Sequence, residues 1–114
     1  MLPEERDPAY LWDMLEAAKE ADEMLAEYDL SAFLADRVML RAIERIIEII
    51  GESARRVSTD YQKTHPEIHW HEIIGQRNIL AHEYGQINHE LLYKTATDDL
   101  PKLITIIESL LPPL

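Results

Sequence analysis

An all-α domain is the fold this sequence predicts, a four- to five-helix up-down bundle spanning residues 1–114 as one unit. Three observations carry it. Apolar residues recur at spacings of three and four, the helical period. Glycine is rare, with three residues in the chain. The apolar fraction is 46%, and a chain of this size buries about two-thirds of its unfolded surface, enough for one core.

Asp7-Pro8 opens the first helix, with Asp7 as N-cap and Pro8 in the first position. Leu11, Met14, Leu15, Ala18, Ala21, Leu25 and Tyr28 then make one stripe, so this helix should run to about residue 28. Asp29 or Ser31 caps a short turn of helix carrying Phe33 and Leu34. A long helix over 36–62 follows, with Met39, Leu40, Ile43, Ile46, Ile47, Ile50, Ala54 and Val57 on its apolar face. Gly51 sits inside it. Glycine there costs about 1 kcal/mol against alanine, which points to close packing of another helix at that point.

His65-Pro66 ends the long helix, since the residue before proline avoids the α region. Residues 65–69 form a connector. Trp70 to Ala81 reads as a third major helix, with Trp70, Ile73, Ile74 and Leu80 as core candidates, and Gly85 breaks it. Asn88 caps a last helix through Leu91, Leu92, Leu100, Leu103, Ile104, Ile107, Leu110 and Leu111. Pro101 should kink or split it, and Pro112-Pro113 stops it. The stripe of Leu40, Ile43, Ile46, Ile47 and Ile50 is wide for a monomer. It predicts a two-fold homodimer; the alternative is that all of it is intrachain core.

Composition excludes several functions. There is no cysteine, hence no disulfide framework, thiolate metal site or cysteine nucleophile. No apolar run approaches the roughly 18 residues of a membrane span. The acidic start, Met1 to Asp7, lacks the apolar stretch of a signal peptide. A soluble cytoplasmic protein with no membrane partner is expected. Net charge is −11, which opposes non-specific nucleic-acid binding. The distribution is uneven. Residues 1–36 carry eleven acidic and two basic groups, whereas 37–56 carry five arginines and three glutamates. One reading is a solvated acidic helix beside a salt-bridged basic one. The other is that the second helix faces an anion.

One segment concentrates chemistry: Arg77-Asn78-Ile79-Leu80-Ala81-His82-Glu83-Tyr84. Each helical residue advances about 100°, so Asn78 and His82 share a face, and the long Arg77 side chain can swing onto it. Tyr84 joins them only if the helix loosens near Gly85. A proton acceptor, a fixed cation and an amide suit metal-free RNA cleavage. The ribose 2′-OH is an internal nucleophile, histidine takes its proton, and arginine answers the charge building on phosphorus. DNA lacks the 2′-OH and should be spared. The competing reading is structural: His82 packs near a helix end and Arg77 pairs with Glu72 or Glu83.

The pattern Arg77-Asn78-x3-His82-x-Tyr84 resembles the R-x4-6-H motif of the HEPN superfamily. Its R-x4-H-x-Y form is similar to the HepT toxin family. Asp36-Arg37, Ile49-Ile50-Gly51-Glu52, His65-Pro66-Glu67-Ile68, the stretch from Trp70 to Tyr84 and Asp99-Leu100-Pro101 follow that family's pattern too. The resemblance implies an α-helical homodimer with two Arg–His motifs meeting in a cleft. It implies a metal-independent endoribonuclease toxin acting on tRNA or mRNA, with Arg77 and His82 catalytic and Asn78 supporting them. It further implies an antitoxin partner, an MntA-like nucleotidyltransferase that transfers AMP to Tyr84. AMP would add bulk and negative charge beside Arg77 and His82, competing with substrate phosphate. Two rivals stand beside this: a catalytically silent HEPN module that binds nucleotide or scaffolds a nucleotidyltransferase, and a plain helical interaction protein.

Arg41 and Arg45, four apart on one face, are candidates for the RNA path, with Arg55 and Arg56 beyond them; the alternative is pairing with Glu44, Glu48 and Glu52. Tyr61, Trp70 and Tyr93 are candidates for base stacking, with Trp70 favoured as core. His69-x-His71, with Glu67 and Glu72 nearby, lacks a helical i, i+4 partner to complete a site, so no metal and no cofactor are expected.

Overall fold

In the computed structural model the chain is described over residues 3–82 and 87–112, and its side chains over 5–80 and 87–112. The described residues form helices and connecting turns, with no strand among them. After a 3-10 turn (Pro3–Arg6) come α1 (Asp7–Met24), α2 (Leu30–Ala35), α3 (Arg37–Arg56), α4 (Thr59–Thr64), α5 (Trp70–His82), α6 (His89–Lys94) and α7 (Leu100–Leu110). The all-α expectation holds. α3 is the central element, packed by α1 and by α5, and α7 lies on α1.

Most boundaries lie where local chemistry puts them. Asp29 caps α2 by accepting from the Ala32 N–H at 2.8 Å, and Asp36 caps α3 by accepting from Met39 at 3.0 Å. Asn88 caps α6 through Leu91 at 3.0 Å. The connector 65–69 and the start of α5 at Trp70 are also as expected, with the Trp70 indole donating to the His65 carbonyl at 2.9 Å.

Two helices differ from the expectation. α1 stops at Met24 rather than residue 28, leaving Tyr28 in the turn. Asp7 does not cap it. That carboxylate is 2% exposed and accepts instead from the Ser58 N–H and hydroxyl at 2.8 and 2.6 Å. The predicted helix over 36–62 is two helices. Val57 turns extended, Ser58 caps α4 through Tyr61, and the buried Asp7 holds that corner. As expected at Pro101, the last helix is interrupted just ahead of it. Proline has no N–H to give, and residues 95–99 widen into a π turn in which the Leu100 N–H reaches Thr95. Gly85 falls outside the described residues.

The core centres on Leu11, Met14, Phe33, Ile43, Ile50, Ile68 and Ile107, all fully buried. Ile46 and Ile47 are buried as well, so one chain covers the isoleucine stripe of α3 by itself. The stripe is therefore no ground for a dimer. Exposed apolar side chains lie elsewhere: Leu30, Leu34, Val38, Ile79 and Leu91. Tyr93 and Tyr28 close the turn between α1 and α3. Tyr93 donates to the Tyr28 carbonyl at 2.8 Å, and Tyr28 donates to Asp36 Oδ2 at 2.7 Å. That bond and the Met39 N–H hold the Asp36 carboxyl below its ordinary value, and the same bond holds the Tyr28 hydroxyl above its own.

Candidate functional site

α5 carries the Arg–His segment, and its placement follows from one glycine. A Cβ built on Gly51 of α3 would lie 2.9 Å from both the Ile73 carbonyl oxygen and Arg77 Cγ, and nearer still to Arg77 Cβ. Hydrogen at that position is what lets α5 press onto α3. The close approach anticipated at Gly51 is thus present, and it is made by Arg77 itself.

Contact with α3 leaves the Arg77 side chain only 19% exposed. Its partner among the described residues is not Glu72 but Glu52, the residue after Gly51: Arg77 Nη2 lies 2.7 Å from Glu52 Oε2; Glu83 falls outside the described residues. The two groups are close but not aligned as a hydrogen bond, and among the described residues the buried Arg77 Nε finds no acceptor. Arg77 Nη1 donates to Asn78 Oδ1 at 3.2 Å.

Glu52 serves two more arginines. Its Oε1 accepts from Arg55 Nη2 at 2.8 Å and Arg56 Nη2 at 3.2 Å. The Arg55 bond, reinforced by the charges of Arg77 and Arg56, holds the Glu52 carboxyl below the usual range against the opposing cost of burial. Arg45 pairs with Glu48 at 3.2 Å and, with Arg77, Glu52 and Ser53, lines a recess of about 250 Å³. Four guanidiniums stand against two carboxylates there. In a chain of net charge −11 this is a local positive field, suited to an anion.

Arg45 therefore shares the Arg77 recess. Arg41 does not line it; it pairs at 3.3 Å with the buried Glu44, which also meets His89 Nε2 at 3.2 Å. The intrahelical pairings weighed for Arg41, Arg45, Arg55 and Arg56 are all present. Trp70, Tyr61 and Tyr93 are engaged in packing: Tyr61 meets the Trp70 ring edge-on at 6.3 Å, and Tyr93 leans on Phe33 at 5.4 Å. His69 lies 3.6 Å from Glu72, and no group of three metal-ligating side chains occurs among the described residues.

His82 ends α5, so the backbone carries it one turn past Asn78 without a break. Its side chain, and Tyr84 altogether, lie outside the described residues. A second recess of similar size, between α3, α5 and α7, is lined by Ile47, Ile50 and Leu103 together with charged groups such as Glu72, Asp99 and Lys102, and by no residue of the Arg–His segment. Glu52 is the member of the site that sequence reading missed. It was weighed only as a partner for its own helix, although Gly51 beside it marked where α5 would arrive. No described helix is long and apolar enough to cross a membrane.

Comparison with known proteins gives concordant matches. A family model described as "Ribonuclease HepT-like" matches residues 14–110. A Methanocaldococcus jannaschii protein named "Putative RNase MJ1380" is 36% identical over 100 residues, covering 88% of this chain and 92% of that one. A Thermococcus cleftensis protein named "Probable ribonuclease HepT" is 36% identical over 94 residues, covering 82% and 86%. No solved structure matches the chain at a significant level.

Proposed function

Because this chain belongs to the HepT-like ribonuclease family, we propose that it is a metal-independent endoribonuclease, the toxin of a cytoplasmic toxin–antitoxin pair. The observation that carries this reading is the Arg77 guanidinium. It is mostly withdrawn from solvent, held by Glu52, and mounted on the helix that ends in His82. A surface cation kept only for solubility has no need of such a seat.

The reaction needs three services. The 2′-OH must lose a proton as its oxygen attacks phosphorus; His82 takes it, histidine being the side chain suited to proton transfer near neutral pH. Negative charge grows on the non-bridging phosphorane oxygens, and the planar Arg77 fork meets two of them at once. Asn78 steadies that fork from Nη1. The 5′-oxygen must gain a proton as its bond to phosphorus breaks, leaving a 2′,3′-cyclic phosphate and a 5′-hydroxyl. In-line displacement puts entering and leaving oxygens on opposite sides of phosphorus. One His82 cannot reach both, so a two-fold dimer supplying a second His82 completes the acid–base pair. The exposed Ile79 beside Asn78 supports placing the dimer contact along α5. Arg45, in the same recess as Arg77, extends the path for RNA phosphates.

On this reading the partner is an MntA-like nucleotidyltransferase that silences the enzyme by AMP transfer to Tyr84. A bulky anion two residues past His82 would oppose entry of the substrate phosphate. The test is growth of cells expressing wild type or His82→Ala from a tightly controlled promoter without any partner. Arrest by wild type alone is expected. No arrest by either, with both proteins soluble, would move the weight to a catalytically silent nucleotide-binding or scaffolding module.

A further inference from the structure

We infer that Glu52 is a positioning residue for Arg77: its carboxylate, pinned at Oε1 by Arg55 and Arg56, holds the Arg77 guanidinium through Oε2 in the orientation that meets the scissile phosphate. The inference rests on the endoribonuclease reading above.

The geometry separates two kinds of ion pair around one carboxylate. Arg55 and Arg56 belong to the same helix as Glu52, three and four residues on, and are 53% and 57% exposed. Pairs of that kind contribute little to stability. What they do here is restrict the Glu52 side chain, by drawing one oxygen toward the C-terminal end of α3. That leaves Oε2 for a cation arriving from another helix, and Arg77 is that cation. It is much less exposed than the other two, at 19%, and its stem lies against Gly51. A long arginine has many rotamers, and holding one of them ahead of the reaction removes an entropic cost from the chemical step. Glu52 and Asn78 hold the two ends of the fork, Nη2 and Nη1. Each terminal nitrogen carries two hydrogens, so one contact apiece leaves donors for phosphate.

The opposing role for the same carboxylate is competition: an anion next to Arg77 could keep substrate phosphate away. The two roles predict opposite kinetics. Removing a competitor raises kcat/KM. Removing a support lowers kcat, while the loss of one negative charge from the recess leaves KM unchanged or smaller.

The experiment is steady-state cleavage of a labelled RNA by the full chain, wild type against the near-isosteric Glu52→Gln. Arginine side-chain NMR is run on both proteins, with the Arg77 signal assigned through Arg77→Lys. We expect kcat to fall by about tenfold or more with KM unchanged or lower. The Arg77 guanidinium should rotate slowly in wild type and freely in Glu52→Gln. An unchanged or raised kcat overturns the inference, as does equal restriction of Arg77 in both proteins. Wild type that cleaves no RNA overturns the endoribonuclease reading and the catalytic purpose of Glu52 with it. The NMR comparison would still report separately whether the carboxylate holds Arg77.

Discussion

Arg77 occupies the space that a side chain on Gly51 would need. The missing Cβ would fall within 2.9 Å of Arg77 Cγ and of the Ile73 carbonyl. α3 thus meets α5 with bare backbone at the point where the Arg77 side chain leaves its helix. Glu52, one residue on, supplies the countercharge. Packing and electrostatics at this site are set by two adjacent residues of one helix.

Gly51→Ala should destabilise the protein although alanine is the better helix former. Propensity favours the change by about 1 kcal/mol, but overpacking against backbone costs about 1–3 kcal/mol. We expect the melting temperature to fall by a few degrees and RNA cleavage to fall with it. Gly75 is the control. It lies in α5 with open space where its Cβ would go. Gly75→Ala should raise the melting temperature, by the equivalent of about 0.5–1 kcal/mol. A thermal scan of both variants checks the pair of signs.

Arg77→Lys keeps the charge and loses the fork. A single ammonium cannot meet two phosphorane oxygens in a plane. Cleavage should drop by about 10²-fold, while the melting temperature moves little because the cation beside Glu52 remains. Initial rates on one RNA substrate, wild type against variant, decide it. Near-wild-type rates would mean that Arg77 acts as a point charge only.

Incubation of the chain with an MntA-like nucleotidyltransferase and ATP should add one or more AMP units by intact mass. Tyr84→Phe should abolish the addition, and the modified wild type should no longer cleave RNA. Addition that survives in Tyr84→Phe would place the acceptor elsewhere.

Tyr28→Phe probes the clamp on Asp36, and its effect should depend on pH in a defined way. The Asp36 carboxyl is depressed, chiefly by the Tyr28 hydroxyl. Its contribution is therefore complete above the ordinary carboxylate value of about 4 and is lost as pH falls through the depressed one. The Tyr28 hydroxyl is raised by the same bond. Its contribution is complete below about pH 10 and is lost as pH rises through the raised value. The difference in melting temperature between wild type and Tyr28→Phe should be flat through neutral pH and shrink in acid and in strong alkali.

Much of this architecture was legible because its determinants are local. Asp29 and Asn88 are caps whose partners lie three residues away, and Pro66 and Pro101 act on their immediate neighbours. What was not legible is tertiary. Nothing near Asp7 in the chain shows that its carboxylate turns from its own helix to Ser58, and without that bond the break between α3 and α4 loses its strongest cue. The same limit applied at the site. Arg77 and His82 stood out as a motif, but the carboxylate that holds Arg77 is twenty-five residues upstream. Gly51 was the available sign, since a helical glycine facing a neighbour marks where that neighbour arrives.

The bond between Asp7 and Ser58 spans 51 residues, and its length bears on the order in which the chain assembles. α3 and α5 are separated only by the short α4 and its flanking turns, so their pairing closes a small loop. α1 packs chiefly against α3 and α7, both made later, and α7 starts only at Leu100. During synthesis, which runs from the N-terminus, α1 therefore emerges with nothing to cover it, gains α3 next, and keeps the side that meets α7 uncovered until residues 100–110 are made. The eleven acidic residues among the first 36 keep that waiting segment hydrated and repel a second copy on a neighbouring nascent chain. The charge that looks ill-suited to a protein handling RNA is, at the N-terminal end, protection for a helix whose cover is completed last.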